Sequence, residues 1–113
     1  MRIDEKETYV GDDLRVMHGD EPFTGEVAAM GPEGNIVELA TYFDGVPHGP
    51  QIIWYSNGQK KQEGVRDYGR NVGEWRRWHK NGQLAECTVF GDHNLPASRK
   101  RWDDQGNLTE EGP

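Results

Sequence analysis

One stretch in the middle of the chain carries the pattern of the whole: Gly73-Glu74-Trp75-Arg76-Arg77-Trp78-His79-Lys80-Asn81-Gly82-Gln83-Leu84-Ala85-Glu86. A run with two tryptophans leads into a polar turn that ends in glycine, and a second run of mixed character follows. This layout is typical of a β-hairpin, because turn residues separate two short runs of alternating character. The stretch therefore predicts two antiparallel strands joined by a tight turn.

The pattern recurs every 24 residues without gaps. Each turn ends in a glycine, and a large apolar residue precedes each turn. The glycines are Gly34, Gly58, Gly82 and Gly106, and the large residues are Met30, Trp54, Trp78 and Trp102. A fixed period of this kind is the signature of a repeat architecture. We predict an array over residues 25–113, divided into 25–48, 49–72, 73–96 and 97–113, with residues 1–24 as an atypical N-terminal cap.

Composition limits the fold class. The 113 residues suffice for a single domain of ordinary size. The 15 glycines and 6 prolines fall too often to leave room for ordinary helices. We therefore predict an all-β fold, an antiparallel β-meander of about four 24-residue hairpin repeats that forms a twisted, largely single-layer sheet. The sequence contains no apolar run long enough for a spanning helix and opens without an apolar signal core, so we expect a soluble, cytoplasmic protein.

The turn residues favour a three-residue loop with only the glycine left-handed. A two-residue type I′ turn would force Glu33 and Gln105 to positive φ, which costs a residue with a β-carbon about 1 kcal/mol or more. This loop pairs residue 78 with 84 and residue 76 with 86. Cross-strand ion pairs are then expected between Arg76 and Glu86 and between Lys100 and Glu110. A looser polar loop is expected between successive hairpins.

The same register divides the side chains between two faces. The repeated column (Met30, Trp54, Trp78, Trp102), flanked by Ile36, Leu84 and Leu108, is expected to be packed scaffold. The other face differs between units and carries Val27, Ile53, Tyr55, Trp75, Arg77, His79, Arg99 and Arg101. A bulge at each turn would exchange some of these positions. Because variation between units suggests a site, we expect the partner-binding residues here: Ile53, Tyr55, Trp75, Arg77 and His79.

The sequence offers little for catalysis or metal binding. Ser56 and Ser98 have no nucleophile-elbow motif and no neighbouring histidine in sequence. The four histidines, His18, His48, His79 and His93, lack the spacing of a ligand pair, so we expect no metal and no cofactor. The single cysteine, Cys87, alternates in phase with Ala85 and Val89 and is expected to be a small packed side chain.

Charge is distributed unevenly along the chain. Residues 1–48 hold three basic and eleven acidic residues, a net charge of −8 in a chain whose total is −7. Basic and aromatic residues do alternate around Arg76 and Arg99, as on single-strand nucleic-acid platforms. The acidic total nevertheless disfavours nucleic acid and anionic membranes. The acidic half would instead attract a basic protein, and its exposed contributors are expected to include Asp12, Asp13, Asp20 and Glu21.

Residues 73–86, followed by Phe90 and Gly91, resemble the bacterial variant of the MORN repeat (membrane occupation and recognition nexus). Its units run G-x-W-x-x-Y/W-Y-x-N-G-x-L-x-x-E and close with an aromatic residue and D/N-G. The resemblance extends over about residues 22–112, with Glu33 and Gln105 in place of the turn asparagine and Ala97 in place of a leading glycine. It implies a single-layer β-meander without catalysis by the repeat. It also implies an antitoxin-like or immunity-like role, as described for many bacterial members, or a scaffold or lipid-binding role.

Taken together, the sequence predicts a non-enzymatic protein-binding repeat module, an antitoxin or immunity protein that occludes a basic toxin. Two alternatives stay open. One is a structural module that self-associates as a homodimer through an edge strand. The other is a lipid-binding or glycan-binding platform built on the tryptophan column.

Overall fold

The computed structural model describes residues 1–91 and 95–112. The described residues form twelve strands and a short 3-10 helix, Glu5–Glu7. The strands are β1 Arg2–Asp4, β2 Tyr9–Val10, β3 Val16–His18, β4 Glu21–Pro22, β5 Gly25–Met30, β6 Ile36–Phe43, β7 Val46–Trp54, β8 Lys60–Asp67, β9 Arg70–Trp78, β10 Leu84–Phe90, β11 Pro96–Trp102 and β12 Leu108–Gly112.

Strands β5 to β12 form an antiparallel meander in which every strand pairs with the next along the chain. Strand β1 adds to the β5 edge in parallel orientation, which gives a sheet of nine strands. The predicted all-β meander of successive hairpins is thereby confirmed. No helix among the described residues has the length and apolar character needed to cross a membrane.

All four hairpins have the predicted three-residue loop. In the third hairpin the amide of Gly82 donates to the carbonyl of His79 at 3.0 Å, and the amide of His79 donates to the carbonyl of Gln83 at 2.8 Å. Gly82 has φ of +90°, and Asn81 is not left-handed. The loop is therefore a type I turn followed by a left-handed glycine, and the type I′ alternative is excluded.

A second irregularity changes the predicted register beyond the turn. Trp78 pairs with Leu84 as predicted, but Glu86 then pairs with Arg77, because Ala85 is an extra residue between the two pairs. The same shift occurs in the other three hairpins. The predicted pairing of Arg76 with Glu86, and of Lys100 with Glu110, is therefore wrong by one residue. The bulge at Ala85 moves the following part of the strand along its partner by one position.

The connections between hairpins are tighter than predicted. Asp44 and Gly45 both have positive φ, as do Tyr68 and Gly69, so each pair forms a two-residue type I′ turn between strands. These turns replace the looser polar loop that we expected. The equivalent third connection includes residues 92–94, which lie outside the described residues.

Most of the buried residues of the nine-stranded sheet form a row across it, one from each of seven neighbouring strands. The row is Ile3, Val27, Ala40, Gln51, Gly64, Trp75 and Thr88. We call the face that carries this row the buried face, and the opposite face, with Trp54, Trp78 and Trp102, the tryptophan face. With side chains alternating along β9, Trp75 and Trp78 point to opposite sides of the sheet.

Residues 1–24 build up one end of the array. Phe23 packs with Ile3 and Val27, and Tyr42 joins this cluster, in which burial raises the pKa of the Tyr42 hydroxyl. Strands β2, β3 and β4 form a separate small antiparallel sheet. The backbone joins this sheet to the meander, because the amide of Val16 donates to the carbonyl of Gly45 at 2.8 Å.

Candidate functional site

The tryptophan face carries an apolar stripe that is interrupted only at β8, where Lys60 pairs with Trp54. In three hairpins the two strands place apolar residues directly opposite each other, as Trp78 and Leu84 do. The stripe consists of Met30, Ile36, Trp54, Trp78, Leu84, Trp102 and Leu108. These side chains are only partly buried, and Met30 and Leu108 expose 41% and 50% of their surface. The column expected to be packed scaffold is thus only partly packed, because its side chains stay half-buried on this face.

A groove of about 430 Å³ opens on this face between Trp78 and Trp102. Cys87 contributes to its floor, and Lys100 and Glu74 lie among its charged lining residues. Burial raises the pKa of the Cys87 thiol above its usual range, and the neighbouring Glu74 carboxylate raises it further. The thiol is therefore protonated at neutral pH and is not an activated nucleophile. The groove is apolar with a charged rim, which suits the burial of apolar side chains.

Trp75, a predicted anchor, lies on the buried face and exposes only 7% of its surface. Its indole covers Gly64, where an added Cβ would lie 2.0 Å from the ring atom Cδ2. Its Nε1–H donates to the carbonyl of Val65 at 3.1 Å, and the Phe90 ring meets it edge-on with centroids 6.4 Å apart. The expectation that Trp75 is more exposed than Trp78 is therefore wrong, since Gly64 leaves the space that the indole fills.

Ile53 and Arg77, two further predicted anchors, belong to the row next to Trp75 on the buried face, paired through Gln62. Arg77 approaches Glu86 at 3.7 Å, and Glu86 also accepts from Arg101 at 2.5 Å. Arg101 in turn reaches Glu110 at 3.1 Å. These partly exposed ion pairs link strands β9 to β12, and each contributes little on its own.

Tyr55 and His79, the remaining predicted anchors, connect consecutive turns. The Tyr55 hydroxyl donates to the carbonyl of Trp78 at 2.7 Å, and His79 Nε2 lies 2.9 Å from the carbonyl of Trp102. The turn asparagines also form hydrogen bonds from one turn to the next, since Asn81 Nδ2 donates to the carbonyl of Asp104 at 2.8 Å. The two predicted aromatic positions therefore hold the stack of turns together along one end of the sheet.

The four acidic residues predicted to attract a partner, Asp12, Asp13, Asp20 and Glu21, are all exposed around the small sheet. Asp13 accepts from Arg15 Nε at 2.6 Å, and Arg15 also reaches Asp44 at 3.0 Å. Hydrogen bonding to Arg15 lowers the pKa of Asp13, which favours the ionised carboxylate. The structure thus separates the acidic surface of the cap from the apolar stripe, which runs along the array.

Within residues 1–91 and 95–112 there is no group of three or more His, Cys, Asp or Glu side chains placed to hold a metal ion. His18 meets the Phe23 ring edge-on, and His48 stacks on Tyr68 with centroids 4.2 Å apart. His93, also considered as a ligand, lies outside the described residues. The described histidines thus have packing contacts rather than a shared site.

Comparison with protein families finds the MORN repeat variant at residues 47–66 and 71–90. The two matches begin 24 residues apart and correspond to the second and third hairpins of the array. MORN repeats are generally non-catalytic modules that bind proteins or membranes. No curated protein and no solved structure matches the chain. These two repeats are therefore similar to a family of binding modules, which directs attention to surfaces rather than to catalytic groups.

The sequence did not indicate that the tryptophan face remains partly exposed. The period identified its residues correctly, but regular recurrence was interpreted as evidence of packing. A usable signal was present in Gly64, whose place opposite Trp75 provides the space for a large ring. The register of β8 and β9 shifts between Glu63 and Val65, so the contact of Gly64 with Trp75 could not be derived from the spacing of residues alone.

Proposed function

We propose that this chain is a non-catalytic protein-binding module that neutralises a basic toxin, as an antitoxin or immunity protein. The observation that carries the proposal is the half-exposed tryptophan face, with Trp78 and Trp102 on either side of an apolar groove. Tryptophan is strongly enriched among the residues that dominate binding energy, because a buried indole removes a large apolar area from water. A toxin docked over this face would have its own functional surface covered.

The acidic half of the chain supports a basic partner. Its eleven acidic residues against three basic ones create a negative field over the cap and first repeat. Such a field accelerates encounter with a positively charged protein, and the apolar contacts then determine how long the complex lasts. In this proposal the association rate depends on Asp12, Asp13, Asp20 and Glu21, and the dissociation rate depends on the contacts of the tryptophan face.

The predicted anchors take different parts in this proposal. Trp75 supports the sheet from the buried face and does not contact the partner, because its ring is covered and hydrogen-bonded. Tyr55 and His79 are half-buried at the turns and contribute at the rim of the docking surface. Ile53 and Arg77 lie on the opposite face from the docking surface.

A second candidate function is a lipid-binding or glycan-binding platform. Half-exposed tryptophans near Lys60, whose ammonium lies 5.8 Å from the centroid of the Trp78 ring, favour it. Self-association through the β12 edge is a third reading. In an antiparallel pair of β12 strands, Glu110 and Glu111 of the two copies would face one another, which disfavours it.

The test is kinetic and uses the protein partner obtained by co-purification from the native host. One variant replaces Asp12, Asp13 and Asp20 with Asn and Glu21 with Gln. Loss of these four charges should slow association about tenfold at low salt, with little change in the dissociation rate. Trp78→Ala and Trp102→Ala should accelerate dissociation, at a loss of about 2 kcal/mol or more for each anchor. A matched control removes four charges from the other half, at Asp67, Asp104, Glu110 and Glu111.

The proposal requires a basic partner whose toxicity in co-expression is relieved by the chain and restored by the tryptophan variants. It fails if the partner is acidic, or if the cap variant and its control slow association equally. It also fails if no protein co-purifies while vesicles or oligosaccharides bind and shift the tryptophan fluorescence.

A further inference from the structure

The buried face has a groove of its own, at the end of the array opposite the cap. It encloses about 190 Å³ over a floor that includes Trp75, Thr88 and Phe90. Trp75 and Thr88 expose 7% and 5% of their surface, so the floor is well packed. The volume is below the range of typical small-molecule pockets, and it suits one or two side chains.

Four arginines line this groove, and their charges are unequally compensated. Arg76 pairs with Glu74, which is not among the lining residues. Arg77 approaches Glu86, the one acidic residue among the described lining residues, but that carboxylate is already bound by Arg101 at 2.5 Å. Arg66 and Arg99 have no carboxylate within ion-pair distance among residues 1–91 and 95–112. The groove thus carries positive charge in excess, in a chain whose net charge is −7.

Both uncompensated arginines are held at the groove. The Arg66 guanidinium lies 5.4 Å from the centroid of the Trp75 ring, and its Nε donates to Asn71 Oδ1 at 3.3 Å. Arg99 Nε is shielded from solvent and has no hydrogen-bond acceptor among the described residues. A buried donor without an acceptor is unfavourable, and a carboxylate is the acceptor that a guanidinium binds best.

We propose that this arginine groove binds the carboxylate of a glutamate or aspartate side chain on an extended segment of a protein partner. Arg66 and Arg99 hold the carboxylate, and Phe90 contacts the apolar part of the same segment. A single carboxylate matches two guanidinium groups and the small volume. A nucleic acid would bring many phosphates to a strongly acidic protein, which opposes binding at long range.

This site lies on the opposite face from the proposed toxin-binding surface, so it does not depend on that function. The two can be tested separately in one experiment, because each face has its own tryptophans. Indole signals of Trp75 report on the arginine groove, whereas those of Trp78 and Trp102 report on the tryptophan face.

The experiment titrates the isotope-labelled protein with two peptides at low ionic strength, acetyl-TEVET-amide and its glutamine counterpart acetyl-TQVQT-amide. The glutamate peptide should shift the Trp75 indole resonance and leave the resonances of Trp78 and Trp102 in place. Added salt should weaken binding of this peptide. Arg66→Gln and Arg99→Gln should each weaken binding at least fivefold. Arg2→Gln, which removes the same charge beside Glu26 at the far edge, should have no such effect.

Arg99→Lys separates charge from hydrogen-bond geometry, since it keeps the charge but lacks Nε, and it should bind at an intermediate level. Thermal unfolding of each variant must match that of the parent protein. The proposal is overturned if the two peptides bind equally, if neither shifts Trp75 at millimolar concentration, or if Arg2→Gln weakens binding as much as Arg99→Gln. Tighter binding of a six-nucleotide oligothymidylate than of the glutamate peptide would also overturn it.

Discussion

Trp75 and Trp78 are separated by only two residues on β9, and they have different surroundings. Trp75 fills the space above Gly64 and donates to the carbonyl of Val65. Trp78 pairs with Leu84 on the half-exposed tryptophan face, with the Lys60 ammonium 5.8 Å from its ring centroid. Within one strand, Trp75 therefore contributes to the stability of the fold, and Trp78 is available to contact a partner.

Trp75→Ala should therefore destabilise the protein by about 3 to 5 kcal/mol, the usual cost of truncating a packed indole. Trp78→Ala should cost about 1 to 2 kcal/mol, because its ring is only partly removed from water. Urea denaturation of the two variants measures both values. Gly64→Ala is an independent check, and it should also destabilise, because the new Cβ would overlap the Trp75 indole. A greater loss for Trp78→Ala than for Trp75→Ala would contradict the assignment of the two faces.

At the scale of single hairpins, the four turns share one backbone geometry but close it with different side chains. In the second and third hairpins the turn asparagine accepts from the backbone amide two residues on, as Asn81 does from Gln83 at 2.9 Å. The fourth hairpin has Gln105 at that position. In that hairpin Asp103 provides the side-chain acceptor instead, and its Oδ1 accepts from the backbone amides of both Gln105 and Asn107 at 2.9 Å. The departure from the repeat pattern is thus compensated two residues earlier.

This substitution makes the fourth hairpin sensitive to acid. Hydrogen bonding from the Asn107 backbone amide, with smaller help from the Asn107 side chain and Gln105, lowers the pKa of Asp103 below its usual 3.8. A carboxyl with a lowered pKa stabilises the fold fully above the unfolded value, and this contribution is lost as pH falls through the folded value. Between about pH 5 and pH 2 the fourth hairpin should therefore weaken.

The check compares urea unfolding of the parent protein with that of Asp103→Asn at pH 6 and at pH 3. The stability difference between them should shrink at acid pH, because the parent loses the charge that the variant already lacks. Asp104→Asn removes a neighbouring charge without removing the Asp103 bonds, and it should not change this pH dependence. A difference between parent and Asp103→Asn that stays constant with pH would show that the charge of Asp103 does not matter.

The hairpins also show how far the sequence could lead. The 24-residue period and the turn glycines were enough for the strand order and the three-residue loops, because both depend on local residue chemistry. The pairing of Arg77 with Glu86 depends on a bulge at Ala85, where alanine gives no local signal. The burial of Trp75 depends on Gly64 of a different repeat, so it could not be inferred from either unit alone. The relative exposure of Trp75 and Trp78 was therefore predicted in the wrong order.

The molecule has extents of 49 × 38 × 20 Å and consists mainly of one nine-stranded sheet with two faces of different character. One face buries a row of small and apolar side chains that ends at Trp75 and Thr88. The other presents half-exposed tryptophans, and the cap adds an acidic surface at one end. Because residues 1–91 and 95–112 place no second layer over the array, an apolar stripe stays accessible to a partner. The proposed function and the arginine groove both depend on this division between the faces.

Solvent accessibility of the four tryptophans tests that division most directly. A soluble gadolinium chelate added to the isotope-labelled protein should broaden the ring signals of Trp54, Trp78 and Trp102 and leave those of Trp75 sharp. The protein concentration should be varied, so that any self-association is detected as loss of broadening at high concentration. Strong broadening of Trp75, or protection of all four rings in the dilute protein, would contradict a single-layer sheet with an open tryptophan face.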